Sequence, residues 1–136
     1  MLIENYFVSR EVAFILKDLG FNDRCIAAWV GDTLYYGLSE SPVPIQSATY
    51  LLNTYYANAD DTATAPFFHQ AIDYLLFAEI YIEESVMLGG GHSVIVRGVS
   101  KVYNIFMGHH KYKLLKDALE YAYTKLDVSS IKCRFT

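Results

Sequence analysis

Residues 66–84, PFFHQAIDYLLFAEIYIEE, change hydrophobic period in mid-stretch. Phe68, Ile72, Leu75 and Leu76 fall at i, i+4, i+7 and i+8, which is one face of a helix. Pro66 suits the first helical turn, where its missing N–H loses nothing. Gln70 and Asp73 fall on the opposite side. From Glu79 the period is two: Ile80 and Ile82 share one side, Tyr81 and Glu83 the other. That alternation is the pattern of a strand with one buried face. The stretch therefore predicts a helix that runs into a strand and covers its apolar side as one core unit.

The flanking sequence supplies more of the same alphabet. Ser9 is a predicted N-cap, and Glu11 in the first turn suits the helix dipole. Val12, Ile15, Leu16 and Leu19 then recur at helical spacing. Gly20 follows as the left-handed stop, with Phe21 closing the end. Residues 25–37 read as a hairpin, CIAAWV and TLYYG around Gly31-Asp32, with Trp29 and Tyr35 expected on one face. In residues 39–64, Pro42 and Pro44 break any regular element. Within 47–57, Ala48, Leu51, Leu52 and Tyr55 match helical spacing, while the Thr and Tyr content favours a short strand or irregular segment. Residues 58–65 read as a polar loop. Residues 79–107 read as a three-stranded antiparallel meander with turns at 89–91 and 98–100. A last helix over 112–125 places Leu115, Ala118, Leu119, Ala122 and Leu126 on one face. Residues 129–135 read as an edge strand or a tail. The expected fold is one α+β domain, residues 1–136, with about three helices on one side of a mixed, mostly antiparallel sheet. Its expected core contains Leu16, Ile72, Leu76, Ile80, Ile82, Ile95 and Leu119.

Three stretches carry a resemblance. APFFHQAIDYL is similar to an A-P-aromatic-x-x-Q-A-x-x-aromatic-hydrophobic motif of a family of small proteins encoded by gut anaerobic bacteria and their phages. SREVAFILKDLGFNDRC resembles that family's S-x-E-x-A-x-x-L-K-x-x-G-F-x-x-x-C opening, and KYKLLKDALEYAYTKL its closing helix. The matches cover roughly a third of the chain and keep the family's order. The resemblance implies a fold and a phage or prophage setting, and carries over no catalytic residue. Residues 39–64 depart from the family pattern, so a specialised role is expected there.

Hydrophobic residues make up 53% of the 136 and charged ones 19%, which excludes a disordered chain. The 12 tyrosines suit half-buried surfaces and interfaces. Net charge is −4, but residues 1–96 carry 12 acidic and 3 basic groups and residues 97–136 carry 3 and 8. The acidic front part disfavours a nucleic-acid backbone; the plainer reading of the asymmetry is that the two halves pack together with their charges interleaved, and the sharper one is head-to-tail association or a basic face for an anion. The segment Met1-Leu2-Ile3-Glu4 has no signal-peptide core, and no uncharged apolar run spans a bilayer. Cytoplasm of a bacterial host is therefore expected, with Cys25 and Cys133 reduced and no zinc site.

The candidate sites compete with plainer readings. Gly89-Gly90-Gly91 lacks the following helix and Lys-Ser/Thr of a phosphate loop and reads as a hairpin loop. Arg97, His110, Lys111 and Lys113 are the expected anion-binding set, near the start of the last helix and with Lys116 beside them. Against this stands a solvated helix face with lysine stems over the core. His69 with Cys25 would suggest nucleophilic catalysis, but a buried, inert Cys25 is the simpler reading. Glu79, Glu83 and Glu84 read as a solvated edge rather than an acid/base pair. Asp18, Asp23 and Asp32 lack calcium-loop spacing. No catalytic residue, metal or cofactor is expected. The first functional expectation is a non-catalytic phage or prophage accessory protein that binds a host or phage protein or pairs as a homodimer, with Tyr81 and Tyr103 in the contact. The alternative is a binder of a small anionic ligand, such as a nucleotide, without turnover.

Overall fold

The computed structural model describes residues 6–36 and 50–126. The chain gathers into two compact units, Met1–Gln70 and Ala71–Thr136. Each is built on a three-stranded sheet whose pairings are all antiparallel, so the fold is α+β.

In the first unit, helix α1 (Arg10–Leu19) begins at Ser9, whose Oγ accepts the Val12 N–H. It ends at Gly20, held at φ 95°, with the Phe21 N–H returning to the Leu16 carbonyl. That left-handed residue is where a side chain would be strained and glycine is not. Strand β1 (Ala27–Val30) is central, between β2 (Thr33–Tyr36) and β3 (Thr62–Thr64). Gly31, at φ 59°, opens the two-residue turn between β1 and β2, the place for glycine in a type II′ hairpin. In that register Trp29 faces Leu34 and Ala28 faces Tyr35, so Trp29 and Tyr35 lie on opposite faces. The tight two-residue turn sets this and overturns the expected Trp29–Tyr35 proximity.

Both faces of β1 are covered. Ala28 packs with Leu51 and Tyr56, and Ala27 with Phe7 and Ala65. Phe7 stacks on Phe67 at 4.8 Å, and the Trp29 indole N–H donates to the Val8 carbonyl at 3.1 Å. Helix α1 packs against β3. Strand β3 corrects the expected polar loop over 58–65, since Thr62, Ala63 and Thr64 are all buried. Small and β-branched side chains let three residues pair with β1 under close cover. Leu51 exchanges both backbone hydrogen bonds with Cys25, and Asn53–Tyr56 forms a 3₁₀ turn. The expectations for Gly37, residues 39–49, Cys133 and residues 129–135 lie outside the described residues.

Helix α2 (Phe68–Tyr74), where the two units divide, gives way to a 3₁₀ turn at Leu75–Ala78. The buried residues are Phe68, Ala71 and Leu75, at i, i+3 and i+7 of a helical face, while Leu76 is 50% exposed. Leu76 was expected in the core. So were Ile72, Ile82 and Ile95, which are half-buried; Leu16, Ile80 and Leu119 are buried as expected. Pro66 precedes the helix, and the Gln70 side chain caps it by accepting the Phe67 N–H. Glu79 is the helix stop at φ 57°, not the first strand residue.

The second unit holds the expected meander: β4 (Tyr81–Val86), β5 (His92–Arg97) and β6 (Val102–Gly108). Its helix partner is α3 (Lys111–Thr124), which packs on β5 and β6, whereas α2 was the expected cover. Val94 and Val96 of β5 are fully buried, and Phe106, opposite Val94, meets the Tyr121 ring of α3. The Tyr123 hydroxyl donates to the Ala71 carbonyl at 2.7 Å, and burial pushes its pKa up. Strand β6 is irregular. Its register with β5 shifts between Val96 and Arg97, and the Ile105 N–H is taken by the neighbouring Asn104 side chain at 2.8 Å.

Candidate functional site

The face of the meander opposite α3 follows from strand alternation. Val94 and Val96 point to the helix, so Ser93, Ile95 and Arg97 point away. Across from them stand Ser85, Glu83 and Tyr81 on β4, and Met107 and Ile105 on β6. The two tyrosines of the expected contact are near this face: Tyr81 faces Arg97, and Tyr103 sits in the register shift beside Gly98.

The face is apolar in the middle and charged at one end. Ile105 is 49% exposed and Met107 66%, while Ile95, Tyr81 and Tyr103 are half-buried. The Arg97 guanidinium lies over the Tyr81 ring at 4.7 Å. It also meets the Glu83 carboxylate, Nε at 2.7 Å and a terminal nitrogen at 2.6 Å. The hydrogen bond from Arg97 holds the Glu83 carboxyl below its usual pKa, and the same bond raises that of Arg97. Ser85 and Ser93 share a 2.6 Å hydrogen bond across the strands. Lys101 lies over the Tyr103 ring at 4.8 Å.

The four residues of the expected anion set do not converge. Arg97 ends β5, whereas β6 pairs Gly108 with His92 at the other end of that strand, three residues before Lys111. Five residue steps separate the ends, roughly 16 Å. His110 is exposed and caps α3 without a side-chain hydrogen bond. Lys111 lies 3.5 Å from Glu84, and Lys113 lies 2.9 Å from Asp117. Each cation thus already has a carboxylate. Beside Lys111 a cavity of about 260 Å³ is lined by Glu84, Val86, His92, Val94 and the Ser85–Ser93 pair.

His69 and Cys25 have different surroundings. His69 is exposed and stacks on Phe67 at 5.8 Å. Cys25 is 2% exposed, its thiol faces the Asp23 carbonyl, and burial pushes its pKa up to about 11. Such a thiol is a poor nucleophile. Among the described residues no three His, Cys, Asp or Glu side chains gather as metal ligands. No helix among them is long and apolar enough to cross a membrane.

Two polar residues of the first unit escaped sequence reasoning. Asn53 is buried, donates to the Phe21 carbonyl and accepts the Thr64 N–H, both at 2.9 Å. Lys17 donates to three carbonyls, of Tyr56, Ala59 and Thr62, at 2.8, 2.7 and 2.7 Å. Their partners are backbone atoms at least 11 residues away, and no side-chain pattern marks those.

Comparison with protein-family models, curated proteins and solved structures finds no match to this chain.

Proposed function

We propose that this chain is a small non-catalytic accessory protein of phage or prophage type, which works by protein–protein contact and pairs with a second copy of itself through the meander face opposite α3. The observation behind this reading is the exposure of Ile105 and Met107 together, flanked by Tyr81, Ile95 and Tyr103. A contiguous apolar patch with a polar rim is characteristic of contact surfaces. The occupant follows from the charges. Glu83 and Arg97 put both signs at one end of the same patch. Such a patch meets its own copy across a two-fold axis without net repulsion. The phage setting rests on the three stretches of resemblance.

Light scattering at high protein concentration, in low and in moderate salt, tests it. A dimer mass is expected in both, because apolar contact outlasts screening. The double variant Ile105→Glu, Met107→Glu should be a folded monomer. A monomeric parent refutes the pairing.

A second reading rests on the cavity beside Lys111. Its volume lies just under the range usual for drug-sized ligands, and Lys111 and His92 offer donors to a small anion. Glu84 opposes that charge. Phosphate titration by calorimetry, lost in Lys111→Gln, would support it; no heat with the parent would end it.

A further inference from the structure

We propose that residues 56–62 form a cation site of the ammonium class, whose guest in this chain is its own Lys17. An ammonium group has three protons, and here each has one main-chain carbonyl to itself. The acceptors recur at positions 56, 59 and 62. Two successive turns create that spacing, since the Ala59 N–H returns to Tyr56 and the Thr62 N–H to Ala59. The two turns bring the three oxygens to one point, where all three lie within 2.8 Å of the Lys17 nitrogen. A further bond, from the Gly31 N–H to the Asp61 carbonyl, ties the segment to the β1–β2 turn.

The cage is therefore shaped by backbone hydrogen bonds that do not involve Lys17. It is preorganised, and the lysine is a tethered guest. Its chemistry sets the class of guest. Three neutral carbonyls at 2.7–2.8 Å suit an ammonium ion or potassium, whose charge a ring of carbonyl dipoles satisfies. Calcium and magnesium draw oxygens in to about 2.3–2.6 and 2.0–2.1 Å and favour carboxylates.

Lys17→Ala removes a propylammonium-sized piece and leaves the oxygens. The variant should melt lower than the parent. It should regain much of the loss, saturably, in propylammonium chloride, and less in potassium chloride. It should gain nothing in tetramethylammonium chloride of equal ionic strength, which has no N–H to donate. The parent should melt alike in the propylammonium and tetramethylammonium salts. Equal melting of the variant in those two salts overturns the proposal. If Lys17→Ala does not fold, the parent carries the test through nitrogen-15 spectra of its lysine ammonium groups. Protons on Lys17 should exchange with water far more slowly than those of Lys101 and Lys113, and equal rates overturn it.

Discussion

Replacing Asn53 by Ala should unpick the first unit at one point. The amide makes two hydrogen bonds and is 5% exposed. Its orientation is dictated by chemistry, because a backbone N–H needs the oxygen and a backbone carbonyl needs the nitrogen. Truncation leaves the Thr64 N–H and the Phe21 carbonyl without these partners. Two lost hydrogen bonds, at about 0.5–1.5 kcal/mol each, give about 1–3 kcal/mol, and more where the Thr64 N–H stays unsatisfied. Water entering the gap brings the loss toward the low end. Either figure is a large share of the ~5–15 kcal/mol that holds a domain together. Urea unfolding followed by circular dichroism reads the shift in midpoint, with the slope m checking that the unfolded state is unchanged. Asn53→Asp sharpens the test. A carboxylate keeps the bond from Thr64 but presents an acceptor to the Phe21 carbonyl, while the protonated acid donates to it. The folded state therefore favours the neutral acid and raises its pKa. Stability should be fullest below the ordinary carboxyl range and fall as pH rises through and above it. If Asn53→Ala unfolds within about 0.5 kcal/mol of the parent, the size of an exposed-site change, the amide does not join the end of α1 to β3.

The face of α2 has an equally direct check. Leu75→Ala should cost about 2–5 kcal/mol as a buried truncation, and Leu76→Ala much less, read by the same urea titration; the reverse order would mean that Leu76 and not Leu75 faces the core. The Cys25 thiol gives a pH signature. With an ordinary value of 9.0 and a folded value of about 11, its contribution is complete below pH 9 and is lost as pH rises toward 11. At about 1.4 kcal/mol per unit the loss is about 2–3 kcal/mol. Cys25→Ala should flatten that part of the alkaline profile in a thermal-melt series, and an unchanged profile refutes it.

How much was legible follows from range. Helix α1 was readable because cap, periodicity and stop all lie within 12 residues, 9–20. The hairpin and the meander were readable because their turns are local and their strands successive. Strand β3 was not, because Thr62-Ala63-Thr64 is a strand only once β1, far back in the chain, is beside it. The face of α2 was misread at its edge, since Ile72 and Leu76 flank the line Phe68, Ala71 and Leu75, and helical spacing does not say how wide a stripe the neighbours cover. Of the candidate site, alternation placed Tyr81 with Glu83 and both away from Ile80 and Ile82. The Arg97–Glu83 pair depends on a register between two strands, which no single strand encodes.

The small irregularity in β6 limits what the molecule can grow into. Edge-to-edge stacking of meanders requires the β4 edge of one copy to join the β6 edge of the next, and so on without end. Asn104 already occupies the Ile105 N–H, and the neighbouring shift in register bends the ladder. Growth through β6 is blunted, and among the described strands of this meander the addition left, β4 to β4, uses up both of its open edges at the first step. Through this meander the chain can form a pair at high local concentration without adding copies end on end.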